Sequence, residues 1–273
     1  MTTNKQLIEK AKSYPFSFPT SSYIFVNGNY NKIVEFGFDL LKDSKIRING
    51  ETVSLNDYLK SIPINSLPNF SDLIPVLAYG SNASYEQLKR KFSCFQNTVI
   101  IPVIKARLYD FDVVYSSHFS KYASIPAALQ YSPGTIVETF VTYLSTSQLA
   151  HMHKTESIGV NYCFGQLSNI QLSLDNNFCL SEIKSYFTLH GCLFINGSHI
   201  SLSAVPAKNR KFPEMNEVEV LGVIKDLLDN KNQDLDSFIF ENITSEEIRI
   251  HRTELLKRTA KNLSYKYFEI LED

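Results

Sequence analysis

Apolar and polar positions change rhythm twice along this chain, and the changes divide it into three parts. In residues 1–70, TNKQLIEKAKSY sets Leu7 and Ala11 four apart, the spacing of one helical face. YNKIVEFGFDLLKD spreads Ile33, Val34, Phe36, Phe38, Leu40 and Leu41 over a second predicted helix. KIRINGETVSL alternates about Asn49-Gly50, a dipeptide suited to a tight hairpin turn. SIPINSLPNFSDLIP, with Pro63, Pro68 and Pro75, reads as a linker.

Residues 74–205 read as strands: LIPVLAY, TVIIPVIKARLYDFDVVYS, GTIVETFVTYL, NYCFGQLSNIQLSL, SEIKSYFTLHGCLFI and SHISLSAVP. Helical spacing is confined there to SYEQLKRKF and STSQLAHMHKTE. Many strands with few crossover helices argue against a doubly wound parallel sheet. The expected fold is α+β, a curved or closed mixed β-sheet (a small barrel) with peripheral helices and helical additions at both ends. From residue 214 the pattern turns helical. PEMNEVEVLGVIKDLLDN places Val218, Leu221, Ile224, Leu227 and Leu228 on one face, and TSEEIRIHRTELLKRTAKNL opens on a Thr244…Glu247 capping-box pattern. The predicted organisation is an accessory segment (1–70), an α+β domain (74–225) and a helical extension packed on it (226–273).

Composition adds mainly exclusions. With 44% hydrophobic and 20% charged residues, the 273-residue chain reads as an ordinary soluble globular protein. No apolar run reaches the roughly 20 residues that span a bilayer, and the N-terminus has no hydrophobic signal core. Four cysteines (Cys94, Cys163, Cys179, Cys192) at irregular spacing predict neither a disulfide framework nor a zinc site, and the cytoplasm is the default location. Residues 74–213 carry 11 Lys and Arg against 7 Asp and Glu, whereas residues 214–273 carry 8 against 14. That mildly basic middle suits a small anion. It is too weak a signal for nucleic acid.

Tyr79-Gly80-Ser81-Asn82 is the first candidate site. A strand, a glycine-containing turn and a helix start within ten residues gather several backbone N–H groups at one point, which can hold an anionic or carbonyl oxygen. Gly80 permits backbone conformations that other residues resist. The plainer reading is a strand-to-helix connection with a Ser or Asn N-cap. Glu156 is the second candidate, a carboxylate at a helix-to-strand junction; the plainer reading is a solvated charge. Lesser candidates are a Cys-His pairing of Cys163 or Cys192 with His190 or His199, an anion clamp from Lys208, Arg210 and Lys211, and pocket-lining Tyr115 and Tyr162. His151 and His153, two apart on a helix, do not share a face as a metal pair does.

VLAYGSNASYEQLKRKF resembles the substrate loop and following helix of the gamma-glutamylcyclotransferase family. ASIPAALQYSPGTIVETFVTYLSTSQLAHMHKTESIGVNY is similar to the family's next stretch: strand, turn (here Pro133-Gly134), strand, short helix, and an acidic residue before a tyrosine. The resemblance covers residues 74 to about 225 and leaves residues 1–70 without a counterpart. It implies a gamma-glutamylcyclotransferase-like fold with Glu156 as catalytic acid/base. Tyr79, Gly80, Ser81, Asn82 and Tyr162 would bind a small γ-glutamyl amide or amine, and 5-oxoproline would leave by intramolecular attack. No metal or organic cofactor is implied. No nucleic-acid or membrane partner is expected. A second class stays open, a non-catalytic binding or interaction protein of the same fold whose flanking segments meet a partner.

Overall fold

The computed structural model describes residues 3–37, 39–63, 69–228 and 232–272. Helix α1 (Asn4–Lys12) opens on a reciprocal capping box between Thr3 and Gln6. A meander follows: β1 (Tyr23–Val26), β2 (Asn29–Glu35), β3 (Lys45–Ile48) and β4 (Glu51–Ser54), with short helices α2 (Leu40–Asp43) and α3 (Leu55–Ser61). The hairpin predicted at Asn49-Gly50 is present, with φ of 50° and 90°.

The helix predicted over YNKIVEFGFDLLKD is corrected: residues 29–35 form strand β2, and only Leu40–Asp43 is helical. Asn27-Gly28, with φ of 46° and 84°, is a second Asn-Gly hairpin turn. Along β2, Asn31 and Ile33 are buried while Tyr30, Lys32 and Val34 face outward, a period of two that the crowded apolar letters disguise. Phe38 and Pro68, named in the predicted helix and linker, lie outside the described residues.

The middle of the chain closes into a ring. Strands β5 (Ile74–Ala78), β6 (Ile100–Tyr115), β7 (Ala127–Leu144), β8 (Tyr162–Leu174) and β9 (Cys179–Thr188) pair in the order β7-β5-β9-β8-β6 and back to β7. Only the β5–β9 pairing in this ring is parallel. This is the expected closed mixed barrel of an α+β fold, and closure removes unpaired edges from the ring. Helices α4 (Tyr85–Lys91) and α5 (Thr146–Thr155) follow β5 and β7. β1 joins β6 outside the ring and so attaches the N-terminal meander to it. Pro75 belongs to β5 rather than to a linker. Pro133-Gly134 is no turn between strands but a bulge inside β7, where the Gly134 N–H donates to Asp110 Oδ1 at 2.7 Å.

After β9 come short strands, β10 (Phe194–Ile195), β11 (Ser198–His199), β12 (Ser201–Leu202), β13 (Ala207–Lys208) and β14 (Glu214–Met215). Then follow helices α6 (Glu217–Leu227), α7 (Leu235–Thr244) and α8 (Glu246–Lys257), and strand β15 (Phe268–Glu272), which pairs with β8. Two helical expectations shift. The buried face of α6 is Val220, Leu221 and Ile224, with Val218 and Leu227 over 40% exposed, at 42% and 47%. Helix α8 is capped by Ser245, whose Oγ accepts from the Ile248 N–H, one position past the predicted Thr244. A single apolar cluster joins Ala11, Ile24 and Leu55 to Ile104, Val141, Val220, Phe238 and Leu256, so both flanking segments share the barrel's core.

Candidate active site

β5 carries Val76, Leu77 and Ala78 into the core and ends at Tyr79, whose buried hydroxyl donates to the Tyr186 carbonyl at 2.6 Å. Gly80 has φ −131°, so chain handedness does not demand glycine there, contrary to the conformational role expected for it. Space does: a Cβ at Gly80 lies 2.8 Å from Tyr14 Oη and 3.0 Å from Ala127 Cβ. The chain then turns through Ser81–Ala83, with the Ala83 and Ser84 N–H groups bonded back to Gly80 and Ser81. Among the described residues, the N–H groups of Gly80, Ser81 and Asn82 donate to no backbone carbonyl outside the regular helices and strands. The Ser81 backbone faces the Tyr14 hydroxyl, which also accepts from the Ala127 N–H at 2.8 Å.

Helix α5 starts on a Ser145–Gln148 capping box and ends at Glu156, its C-cap. Ser157 (φ 53°) and Gly159 (φ 78°) reverse the chain into β8, which begins at Tyr162. Glu156 is not a solvated charge; it is 9% exposed. Its Oε1 accepts from Asn82 Nδ2 at 2.8 Å and forms an ion pair with Lys91, which is itself 8% exposed. Buried charges require such partners. Lys91 Nζ also touches Met152 Sδ at 3.6 Å. Glu156 Oε2 takes no hydrogen bond among the described residues, and neither does the Tyr162 hydroxyl. Burial, and then the neighbouring Tyr14, Glu156 and Tyr79, push that phenol well above its ordinary value.

All six residues singled out by sequence (Tyr79, Gly80, Ser81, Asn82, Glu156 and Tyr162) line one open cavity of about 590 Å³. A site of that size encloses a small organic ligand. Its walls are not all barrel. Tyr14 and Phe16 reach in from the segment after α1, and Glu246, Arg249, Ile250, Thr253, Glu254 and Lys257 come from α8.

The other candidates fall elsewhere. Tyr115 is fully buried and bonds the Met215 carbonyl, away from the cavity. Arg210 is no anion clamp: its Nε lies 3.1 Å from buried Asp112 Oδ1, its Nη1 bonds Glu214 at 2.8 Å, and it ties down a surface crossing. Lys208 and Lys211 are exposed, and none of the three lines the cavity. Cys192 donates to the Leu129 carbonyl, and burial pushes its thiol up to about 12, the reverse of nucleophile activation. Cys163 donates to the Phe187 carbonyl. His151 Nε2 donates to the Lys91 carbonyl while His153 meets the Tyr186 hydroxyl, so the two diverge. Sequence reading missed Lys91, although its place one turn beyond Gln87 and Leu88 sets a lysine on the buried side of α4. It also missed Tyr14, for which no local pattern signals a long-range contact.

No family model matches the chain, and no curated protein matches it in sequence. Among solved structures it is similar to an uncharacterized protein from Homo sapiens, at 15% identity over 71% of this chain and 92% of that one, with a TM-score of 0.36. It is similar to a gamma-glutamyl cyclotransferase, at 14% identity over 71% and 91%, with a TM-score of 0.35. YkqA from Bacillus subtilis is a third, at 15% identity over 63% and 58%, with a TM-score of 0.32. Overlaps of that size carry no weight for chemistry, so the functional reading stands on the cavity and its residues.

Proposed function

We propose that the protein is a cyclotransferase-type enzyme that cleaves a γ-glutamyl amide into 5-oxoproline and a free amine. The observation that carries this reading is the meeting of Glu156 with the 80–82 turn in one cavity, joined by the 2.8 Å bond from Asn82. A γ-glutamyl amide contains its own nucleophile, the α-amino group, placed to close a five-membered ring. Holding the chain curled supplies most of the advantage. Glu156 Oε2 takes a proton from the α-amine, the nitrogen bonds to the γ-carbon, and the same carboxyl returns the proton to the departing nitrogen as the amide C–N bond breaks. The N–H groups of Gly80 and Asn82 and the Tyr162 hydroxyl hold the α-carboxylate and the oxygen on which charge develops, while the Ser81 N–H is turned to the Tyr14 hydroxyl. Tyr79, anchored to Tyr186, fixes the turn from behind.

One observation favours the rival class, a binding protein: Lys91 already engages the carboxylate. A panel of γ-glutamyl dipeptides and amines, assayed for 5-oxoproline, separates the two. Turnover by the wild type and none by Glu156→Gln supports the enzyme; activity retained in that variant, or a wild type inactive on the whole panel, sinks it. Because Glu156→Gln leaves the buried Lys91 ammonium without its counter-charge, Lys91→Met/Glu156→Gln serves as the folded, uncharged control.

A further inference from the structure

Beyond Tyr162 the cavity holds a polar group that ring closure does not use. His118, in the loop after β6, is 2% exposed; its ring stacks on His190 with centroids 4.5 Å apart and meets Tyr162 edge-on at 5.6 Å. Both histidines line the cavity. Tyr14, Tyr79, Tyr162 and Tyr186 all feel the Glu156 charge, whereas the charges that His118 feels are those of His190 and Lys257, which sets the imidazole pair apart from the carboxylate within the shared cavity.

The surrounding bonds assign the tautomers. His190 Nε2 lies 2.9 Å from Asn161 Oδ1, an acceptor, so Nε2 carries the hydrogen and the buried, partnerless Nδ1 the lone pair. Thr188 Oγ1 accepts from the His190 backbone N–H at 3.1 Å, which leaves its hydrogen for Ser116 Oγ at 2.7 Å. Ser116 in turn donates to His118 Nδ1 at 2.7 Å, a shorter contact than its 3.4 Å approach to the Gly191 carbonyl. With Ser116 donating along the shorter of its two contacts, the N–H of His118 is on Nε2, and nothing among the described residues accepts from it. Burial, with His190 and Lys257 adding to it, holds the ring neutral. Lys257, bonded to Glu254 at 3.0 Å, adds positive potential beyond the pair.

We propose that His118 determines specificity for the leaving group: its Nε2–H receives a carboxylate or carbonyl oxygen carried by the departing amine, so amino-acid and peptide amines are preferred over plain alkylamines. This rests on the cyclotransferase reading of the cavity. γ-Glutamylalanine and γ-glutamylethylamine differ only in that carboxylate, and calorimetric binding of each to Glu156→Gln protein measures the preference without turnover. The alanine compound binds about tenfold more tightly, the worth of one hydrogen bond to a charged acceptor. Adding His118→Phe, which keeps a stacked ring but no donor, brings the ratio close to one; His118→Gln, which keeps an N–H, restores part of it, and thermal melts confirm both are folded. No preference in the parent, or one unchanged by His118→Phe, overturns the proposal. Binding of neither compound overturns it together with the γ-glutamyl reading, whereas a His118-dependent preference without 5-oxoproline release from the wild type overturns turnover alone.

Discussion

Gly80→Ala tests whether the turn is held by close packing against the N-terminal segment. The new methyl lies 2.8 Å from Tyr14 Oη and 3.0 Å from Ala127 Cβ, closer than van der Waals contact on both sides. At φ −131° the backbone itself accepts alanine, so the whole cost is steric. Overpacking of this kind costs about 1–3 kcal/mol. Pushing the Tyr14 hydroxyl away also unpairs the buried Ala127 N–H, at a further ~1–3 kcal/mol. Tyr14→Phe alone removes the hydroxyl and incurs only the second cost. In the double variant the methyl occupies the space the oxygen left, and the lost bond is counted once. Urea unfolding followed by far-UV circular dichroism, extrapolated linearly, then gives a double-variant loss smaller than the sum of the singles by about 2–6 kcal/mol, the steric cost and one unpairing. Additive losses would falsify the contact between Tyr14 and the turn. A Gly80→Ala protein as stable as wild type does so more directly.

Two further changes probe buried charge. Glu217 is 2% exposed, accepts from the Ile125 N–H through Oε1 and leaves Oε2 unpaired; burial raises its carboxyl well above 4.5. The native state thus keeps a proton that the unfolded state releases, and stability present below pH 4.5 is lost as pH rises, by about 1.4 kcal/mol per unit. Glu217→Gln does not titrate, so its stability relative to wild type should climb by as much as about 3 kcal/mol between pH 4.5 and neutrality; parallel denaturation curves across that range refute the buried acid. Lys91→Met strands the Glu156 carboxylate and should cost about 3–5 kcal/mol, of which adding Glu156→Gln recovers most. If the second substitution only deepens the loss, the pair is not coupled.

The barrel was legible because its strands are long and rich in β-branched and aromatic residues, a pattern that survives without tertiary context. The first half of the meander was not, because Ile33-Val34 and Leu40-Leu41 set apolar pairs close enough to mimic a helix, and the Asn27-Gly28 turn that settles the matter is two letters long. The site was half legible. The turn and Glu156 sit at element boundaries, where sequence patterns change and can be seen. Lys91, Tyr14 and His118 act through contacts 65, 113 and 72 positions away in the chain, made directly or through Ser116, and no local periodicity encodes those.

The one parallel pairing of the ring, β5 with β9, has a consequence in time rather than in space. β5 can pair with β7 early, but its other edge waits for residues 184 and 185, and the Tyr79–Tyr186 and Leu77–Ser185 bonds close loops 107 and 108 residues long. Closures of such length come late in folding. The turn is therefore seated only when the ring shuts, so ligand affinity should return after most of the far-UV signal during refolding from urea. Simultaneous recovery would mean that the turn forms without the ring. A nascent chain released before residue 185 emerges has most of its strands and no site.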